Sequence, residues 1–145
     1  MADDEEPGWS KVEFTQTPDD LFQHGPTLHA GILRLPLSSN RGAGVLAQLD
    51  TGAGITAIPL RMAEKLGLEP LGYGELREAG RDVRETPYYR VELLLSERIR
   101  FPLDIIGLET LSPPHDLLIG RDVLSNGKLE VDFLTGVTRF RFRTS

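Results

Sequence analysis

The chain contains no cysteine, and this absence removes several chemistries at once. Disulfide frameworks, zinc sites built on thiolates and cysteine nucleophiles are all excluded. No apolar run approaches the roughly 20 residues that cross a bilayer, and Met1–Glu6 is acidic where a signal peptide would be basic and then apolar. We therefore expect a soluble chain without a membrane segment, and we favour a cytoplasmic location.

Clusters of basic residues are missing as well. The chain has 16 Lys and Arg against 22 Asp and Glu, a formal net charge of -6, and most of its basic residues are interleaved with acids. Because phosphate-binding surfaces need clustered Lys and Arg, we expect no nucleic-acid partner. The length of 145 residues suits one domain with a continuous core.

Motifs of several enzyme classes are also absent. The sequence has no Gly-x-Ser-x-Gly elbow, and Gly72-Tyr73-Gly74 lacks the Gly and Lys that complete a phosphate loop. His24, His29 and His115 are scattered along the chain without the close helical spacing of a zinc enzyme. We interpret them as surface or hydrogen-bonded histidines, and we expect neither a metal nor another cofactor.

The most informative stretch that is present is Asp50-Thr51-Gly52, which stands between two apolar runs. The alternation from Val45 to Leu49 predicts a half-buried strand, and a second β-branched run follows from Ile55 to Ile58. A carboxylate at such a junction either caps an ordinary turn or acts in catalysis. The tripeptide alone leaves both interpretations open.

A second motif lies far downstream, where the apolar Leu117–Ile119 runs into Gly120, Arg121 and an acidic residue, Asp122. The two motifs together resemble those of the retropepsin-like family, the single-domain aspartic proteases related to those of retroviruses. The resemblance extends over about Leu28 to Phe142. It implies that Asp50 is the catalytic carboxylate. It also implies a set of residues that support the active-site loop: Thr51, Gly52, Leu118, Ile119 and Gly120.

This resemblance implies a mechanism and a partner. Peptide hydrolysis needs one deprotonated and one protonated carboxylate around a water, and one Asp-Thr-Gly supplies half of that pair. The working site then requires a homodimer, with Thr51 forming hydrogen bonds across the twofold axis. A peptide or protein substrate would lie extended over the turn. The walls of the cleft would include Ala53, Ile55 and Ile119, although ordinary core packing is the better single explanation for each of these residues.

This chain departs from the family's pattern at one position. Retroviral members usually carry an acidic residue four positions after the catalytic Asp, where it pairs with the Arg of the second motif. This chain has Gly54 there, so Arg121 must find another partner.

Periodicity outlines the elements around the motifs. Leu28–Leu37 alternates through Leu33, Leu35 and Leu37, and Pro59–Gly67 has the Pro, apolar spacing and closing Gly of a short helix.

Gly74–Leu95 predicts a long hairpin with its turn at Ala79–Asp82. Its polar tip resembles the family's flap, assigned to about Leu76–Thr86, and an ordinary exposed hairpin has the same pattern. A flap would bring three tip residues to the substrate: Ala79, Gly80 and Arg81.

The predicted fold is all-β. We expect about eight or nine strands in a partly closed, retropepsin-like barrel with one or two short helices, forming one half of a twofold dimer. Residues 1–27 are interpreted as an acidic, extended arm, part of which packs on the body or on a partner, and residues 28–145 as the protease domain. The predicted function is an aspartic endopeptidase. The alternative is a non-catalytic dimerisation or peptide-binding module on the same fold.

Overall fold

The computed structural model of the chain describes residues 8–34, 42–77, 83–96, 98–109 and 115–143. Within these ranges the ten strands are β1 Trp9–Thr15, β2 Thr27–Arg34, β3 Gly42–Leu49, β4 Ala57–Pro59, β5 Gly72–Leu76, β6 Arg84–Ser96, β7 Ile99–Leu108, β8 Leu117–Ile119, β9 Gly127–Asp132 and β10 Val137–Arg143. The three helices are α1 Pro18–His24, α2 Leu60–Lys65 and α3 Arg121–Leu124. None of these helices is long and apolar enough to span a bilayer.

Six strands form a barrel. They pair in the order β2-β3-β8-β4-β7-β6, and a further pairing of β2 with β6 closes the ring. Strand β5 extends the sheet beyond β6 as the first arm of a hairpin, and β1, β10 and β9 form a separate three-stranded sheet. The predicted fold class, an all-β barrel, is confirmed as a mostly β barrel; the described residues contain ten strands instead of eight or nine, and three short helices instead of one or two. The ring is continuous within the described residues, where the sequence predicted partial closure.

Alternating apolar residues fill the barrel. In β3 the buried side chains are Val45, Ala47 and Leu49, and in β6 they follow the same period of two through Tyr89, Val91, Leu93 and Leu95. The stripe in β3 is the alternation that the sequence predicts, and that in β6 lies in the second arm of the predicted hairpin. In β2 the buried residues are Leu28, Ala30 and Ile32, so the predicted stripe through Leu33 lies on the other face. Leu35 and Leu37, which were to continue that stripe, lie outside the described residues.

The segment before residue 28 is built into the body of the protein. Strand β1 pairs antiparallel with β10 over its whole length, from Trp9 opposite Arg143 to Thr15 opposite Val137. Helix α1 follows, and Leu21 within it is fully buried. The predicted packing of this segment on the rest of the chain is therefore present, as a strand and a helix. The boundary between an arm and a protease domain at residue 28 stays a prediction.

A turn between β9 and β10 gives a pH-dependent stability prediction. The Asp132 carboxylate accepts hydrogen bonds from the backbone N–H groups of Leu134 at 2.9 Å and Thr135 at 3.3 Å. These bonds, with that of Leu134 first, lower the pKa of Asp132. A carboxyl group with a lowered folded-state pKa stabilises the protein above its unfolded pKa, and this contribution is lost as the pH falls through the folded pKa.

We therefore expect Asp132→Asn to be less stable than wild type at pH 7, with the difference disappearing as the pH falls below the ordinary pKa of an Asp carboxyl group and through the lowered one of Asp132. Urea unfolding of the two proteins across this pH range measures the difference in their free energies of unfolding. A difference that stays constant with pH would contradict a stabilising charge at Asp132.

Candidate active site

Parallel pairing of β3 with β8 places Asp50. Leu49 at the end of β3 lies opposite Ile119 at the end of β8, and the Asp50 N–H donates to the Ile119 carbonyl oxygen at 2.8 Å. On its other edge β8 pairs antiparallel with β4, with Ala57 opposite Leu118. The turn that carries Asp50 is therefore anchored at both ends to the strand of the second sequence motif.

The Asp50 carboxylate is half-buried and is oriented by its own turn. The Gly52 N–H donates to Asp50 Oδ1 at 2.8 Å, and the Ala53 N–H donates to the Asp50 carbonyl oxygen at 3.2 Å. Within the described part of the chain, no hydrogen bond reaches the second carboxylate oxygen, Oδ2. One oxygen is thus held by a backbone donor, and the other is available to a water or a substrate.

Close backbone approach beneath this turn requires glycine at position 120. A Cβ added to the buried Gly120 would lie 2.9 Å from the Ala53 carbonyl oxygen and 2.9 Å from the Ile55 carbonyl carbon. The next two backbone N–H groups, those of Arg121 and Asp122, donate to Ala53 at 2.8 Å and to Gly54 at 3.2 Å. The start of α3 therefore supports the turn from below.

A side-chain connection between Thr56 and Asp122 strengthens this support, and the sequence analysis did not identify it. Thr56 is fully buried, and it donates to the Asp122 carboxylate twice, from Oγ1 at 2.7 Å and from its backbone N–H at 2.9 Å. The same hydroxyl oxygen accepts a hydrogen bond from the Gly120 N–H at 3.2 Å. The acidic residue after Gly120-Arg121 was part of the sequence motif, but nothing local indicated its partner.

The partner that Arg121 needed is a backbone carbonyl group. Its Nη1 donates to the Thr51 carbonyl oxygen at 2.7 Å, which connects the second motif to the residue next to Asp50. No ion pair of Arg121 with a carboxylate is present in the described ranges.

The remaining residues of the predicted site fall into three groups. Thr51 and Gly52 are exposed, Ala53 is half-buried and Ile55 is 47% exposed, so these can meet a partner or a ligand. Ile119 is fully buried in the barrel core, and it therefore supports the loop rather than forming a wall of a cleft. Ala79, Gly80 and Arg81, at the predicted flap tip, lie outside the described residues.

A pocket of about 380 Å³ lies between the Asp50 turn and the β5–β6 hairpin. Ile55 of the turn lines it together with Leu76, Tyr88 and Ile106. Leu76, Tyr88 and Ile106 were not among the predicted site residues, because their positions in strands gave only the period of two shared by core residues. The pocket therefore offers apolar side chains beside the Asp50 turn, and three acidic residues line it as well: Glu75, Asp104 and Asp122.

The three histidines are gathered by the fold, although they are scattered in sequence. His24, His29 and His115 line one cavity of about 270 Å³, together with Asp20. The rings of His24 and His115 meet edge to face with centroids 6.0 Å apart. No group of three or more His, Asp or Glu residues in the described ranges is arranged to hold a metal ion. His24 and His29 are exposed, as expected for surface histidines, whereas His115 is buried against the same cavity. The absence of a metal stays a prediction.

Comparison with known proteins adds a family and a fold. A family model described as aspartyl protease matches residues 35–123. A retropepsin-like aspartic protease from Rickettsia conorii is 13% identical, with a TM-score of 0.59 over 94% of each chain. EIAV protease complexed with the inhibitor HBY-793 is 17% identical, with a TM-score of 0.53 over 69% of this chain and 85% of that one. None of the curated proteins compared with the chain matches it. At these identities the two solved structures show the fold alone.

Proposed function

Because the chain belongs to the aspartyl protease family and has the retropepsin-like fold, we propose that it is a homodimeric aspartic endopeptidase. Asp50 of each subunit supplies one of the two carboxylates. The observation that carries the proposal is the Asp50 carboxylate itself. One of its oxygens is held by the Gly52 N–H at 2.8 Å, on a turn whose outer residues are exposed.

The chemistry requires a second carboxylate. The sequence contains one Asp-Thr-Gly, so the partner carboxylate comes from a second subunit related by a twofold axis next to the exposed Thr51 and Gly52. Two carboxylates at close range do not both ionise easily, because like charges repel, and the pair therefore holds one proton. The ionised carboxylate takes a proton from the attacking water, and the protonated one donates to the carbonyl oxygen of the scissile bond.

The hairpin of β5 and β6 supplies the opposite wall of the cleft. The two strands pair from Gly72 opposite Tyr88 to Leu76 opposite Arg84, and the predicted flap residues stand between these strands in the sequence. An extended peptide between this flap and the Asp50 turn forms main-chain hydrogen bonds as an added strand does. The pocket lined by Ile55 and Tyr88 then receives an apolar side chain.

A non-catalytic peptide-binding or dimerisation module is the second candidate function. It is favoured by the same hydrogen bond from Gly52 to Asp50, since a carboxylate that only caps its turn makes that bond as well. The two functions differ in whether two Asp50 side chains act on one water.

Mixing of subunits tests the shared site. Wild-type and Asp50→Asn subunits exchanged at equal amounts pair at random, giving about one quarter wild-type, one half mixed and one quarter mutant dimers. A mixed dimer has a carboxylate facing an amide, so it lacks either the acid or the base. We expect the activity of the mixture to be about one quarter of that of the same total amount of wild type.

Two results would contradict a shared pair of carboxylates. Independent sites give about one half of the wild-type activity in the equal mixture, following the wild-type fraction linearly rather than as its square. Specific activity that stays constant on dilution into the nanomolar range would also count against an obligate dimer, because subunits separate below their dissociation constant.

A further inference from the structure

We propose that Arg121 binds a carboxylate side chain of the substrate beside the Asp50 turn, a specificity that rests on the peptidase function proposed for the chain. Arg121 is the first residue of α3, and its side chain is exposed. Its Nη1 donates to the Thr51 carbonyl oxygen at 2.7 Å, so the guanidinium lies next to the residue that follows Asp50.

The charge of Arg121 is not neutralised by a carboxylate in the described ranges. The adjacent Asp122 directs its carboxylate to Thr56 and to the Val123 N–H, at 2.7 to 3.0 Å. Other arginines of the chain do have carboxylate partners: Arg61, Arg84, Arg90, Arg100 and Arg139. A guanidinium has several N–H donors, and the bond to Thr51 uses one of them, so donors remain for a ligand.

Glycine at position 54 opens the other side of this guanidinium. A Cβ added to Gly54 would lie 3.5 Å from Arg121 Nη2, so the second nitrogen lies beside a residue without a side chain. Gly54 is exposed, and its neighbour Ile55 lines the apolar pocket between the turn and the hairpin. Nη2 is therefore next to the path of a peptide that places a side chain in this pocket.

A carboxylate is the group that best matches this site. The planar fork of Arg pairs with carboxylates through two parallel hydrogen bonds, which are stronger than those to neutral acceptors. Side chains on one face of an extended peptide repeat at about 6.6–6.8 Å. A substrate with an apolar residue in the pocket can thus place a Glu or Asp of a nearby position against Arg121.

Matched peptides test the inference. Peptides with an apolar pair at the scissile bond receive either Glu or Gln at each position within about three residues of it, and are assayed near pH 6, where the peptide Glu (pKa about 4.3) is ionised. For at least one position we expect kcat/KM of the wild type to be roughly tenfold higher with Glu than with Gln.

Substitution at Gly54 assigns the preference to Arg121. The added Cβ of Gly54→Asp lies at ordinary contact distance from Arg121 Nη2. The introduced carboxylate then forms an ion pair with the Arg121 guanidinium and blocks it for the substrate. The ratio of kcat/KM between Glu and Gln peptides should fall to about one, whereas the matched neutral variant Gly54→Asn should keep it. The ratio is the readout, because a general change in turnover moves both peptides equally.

The outcomes separate this inference from the proposed function. Cleavage by wild type with equal rates for Glu and Gln at every position would overturn the carboxylate site and leave the peptidase intact. If Gly54→Asp keeps the preference for Glu over Gln, the group that binds the substrate carboxylate is not Arg121, and the inference is overturned. If wild type cleaves none of the peptides, the peptidase function itself fails, and the specificity fails with it.

Discussion

Asp50→Asn is expected to abolish peptidase activity while leaving the fold intact. The amide cannot take a proton from water, and loss of a general base or acid lowers rates by roughly 10²–10⁴-fold. The side-chain oxygen of Asn can still accept the hydrogen bond that the Gly52 N–H donates to Asp50 Oδ1 at 2.8 Å. The turn therefore keeps its internal bond, and we expect a change in stability of less than about 1 kcal/mol.

Peptide cleavage and thermal unfolding of the same preparations measure the two parts of this prediction. Asp19→Asn is the matched control, since Asp19 is exposed on α1 and is not part of the Asp50 turn. It should retain full activity. Wild-type activity in purified, folded Asp50→Asn would remove Asp50 from catalysis and favour the non-catalytic module.

Elements with strong local signals are those that the sequence predicts well. The strand before Asp50 alternates strictly, and the structure buries Val45, Ala47 and Leu49 as predicted. The helix expected over Pro59–Gly67 is α2, which spans Leu60–Lys65 and ends before a glycine at φ +67°. In both elements the periodicity and the terminating residues depend on neighbours in sequence.

Two local features were nevertheless interpreted incorrectly or missed. Helix α1 was assigned to an extended arm, although Thr17 caps it, Pro18 opens it and Gly25 follows it. In β2 the alternation was placed on the face of Leu33, and a shift of one residue exchanges the buried and exposed faces of a strand. Gly31, which interrupts the apolar run, and the small Ala30 weakened the signal of the face that is buried.

Contacts between distant residues could not be derived from the sequence. Thr56 and Asp122 are 66 positions apart, and their hydrogen bonds exist only because β8 lies between β3 and β4. The closure of the barrel through β2 and β6 and the gathering of three histidines around one cavity have the same origin. The motif identified the carboxylate, but the groups that hold its turn depend on the assembled barrel.

The second large effect is expected for Gly120→Ala. The added methyl group would lie 2.9 Å from the Ala53 carbonyl oxygen and from the Ile55 carbonyl carbon, which are backbone atoms of the Asp50 turn. Overpacking of this kind typically costs about 1–3 kcal/mol, which for a chain of this size lowers the melting temperature by several degrees. Relief of the overlap also moves the turn, and a misplacement of about 1 Å at an active site can reduce turnover about a hundredfold.

Gly44→Ala provides the comparison for this substitution. Gly44 lies in β3, in the strand that leads to Asp50, and a Cβ added there would meet no atom within 4 Å. This variant carries the same change in backbone entropy without the overlap, so it should keep both its melting temperature and its activity. Thermal unfolding and the activity of the folded fraction, measured for both variants, separate steric displacement of the turn from a general effect of replacing glycine. Equal behaviour of the two variants would show that α3 does not hold the Asp50 turn in place through close contact at Gly120.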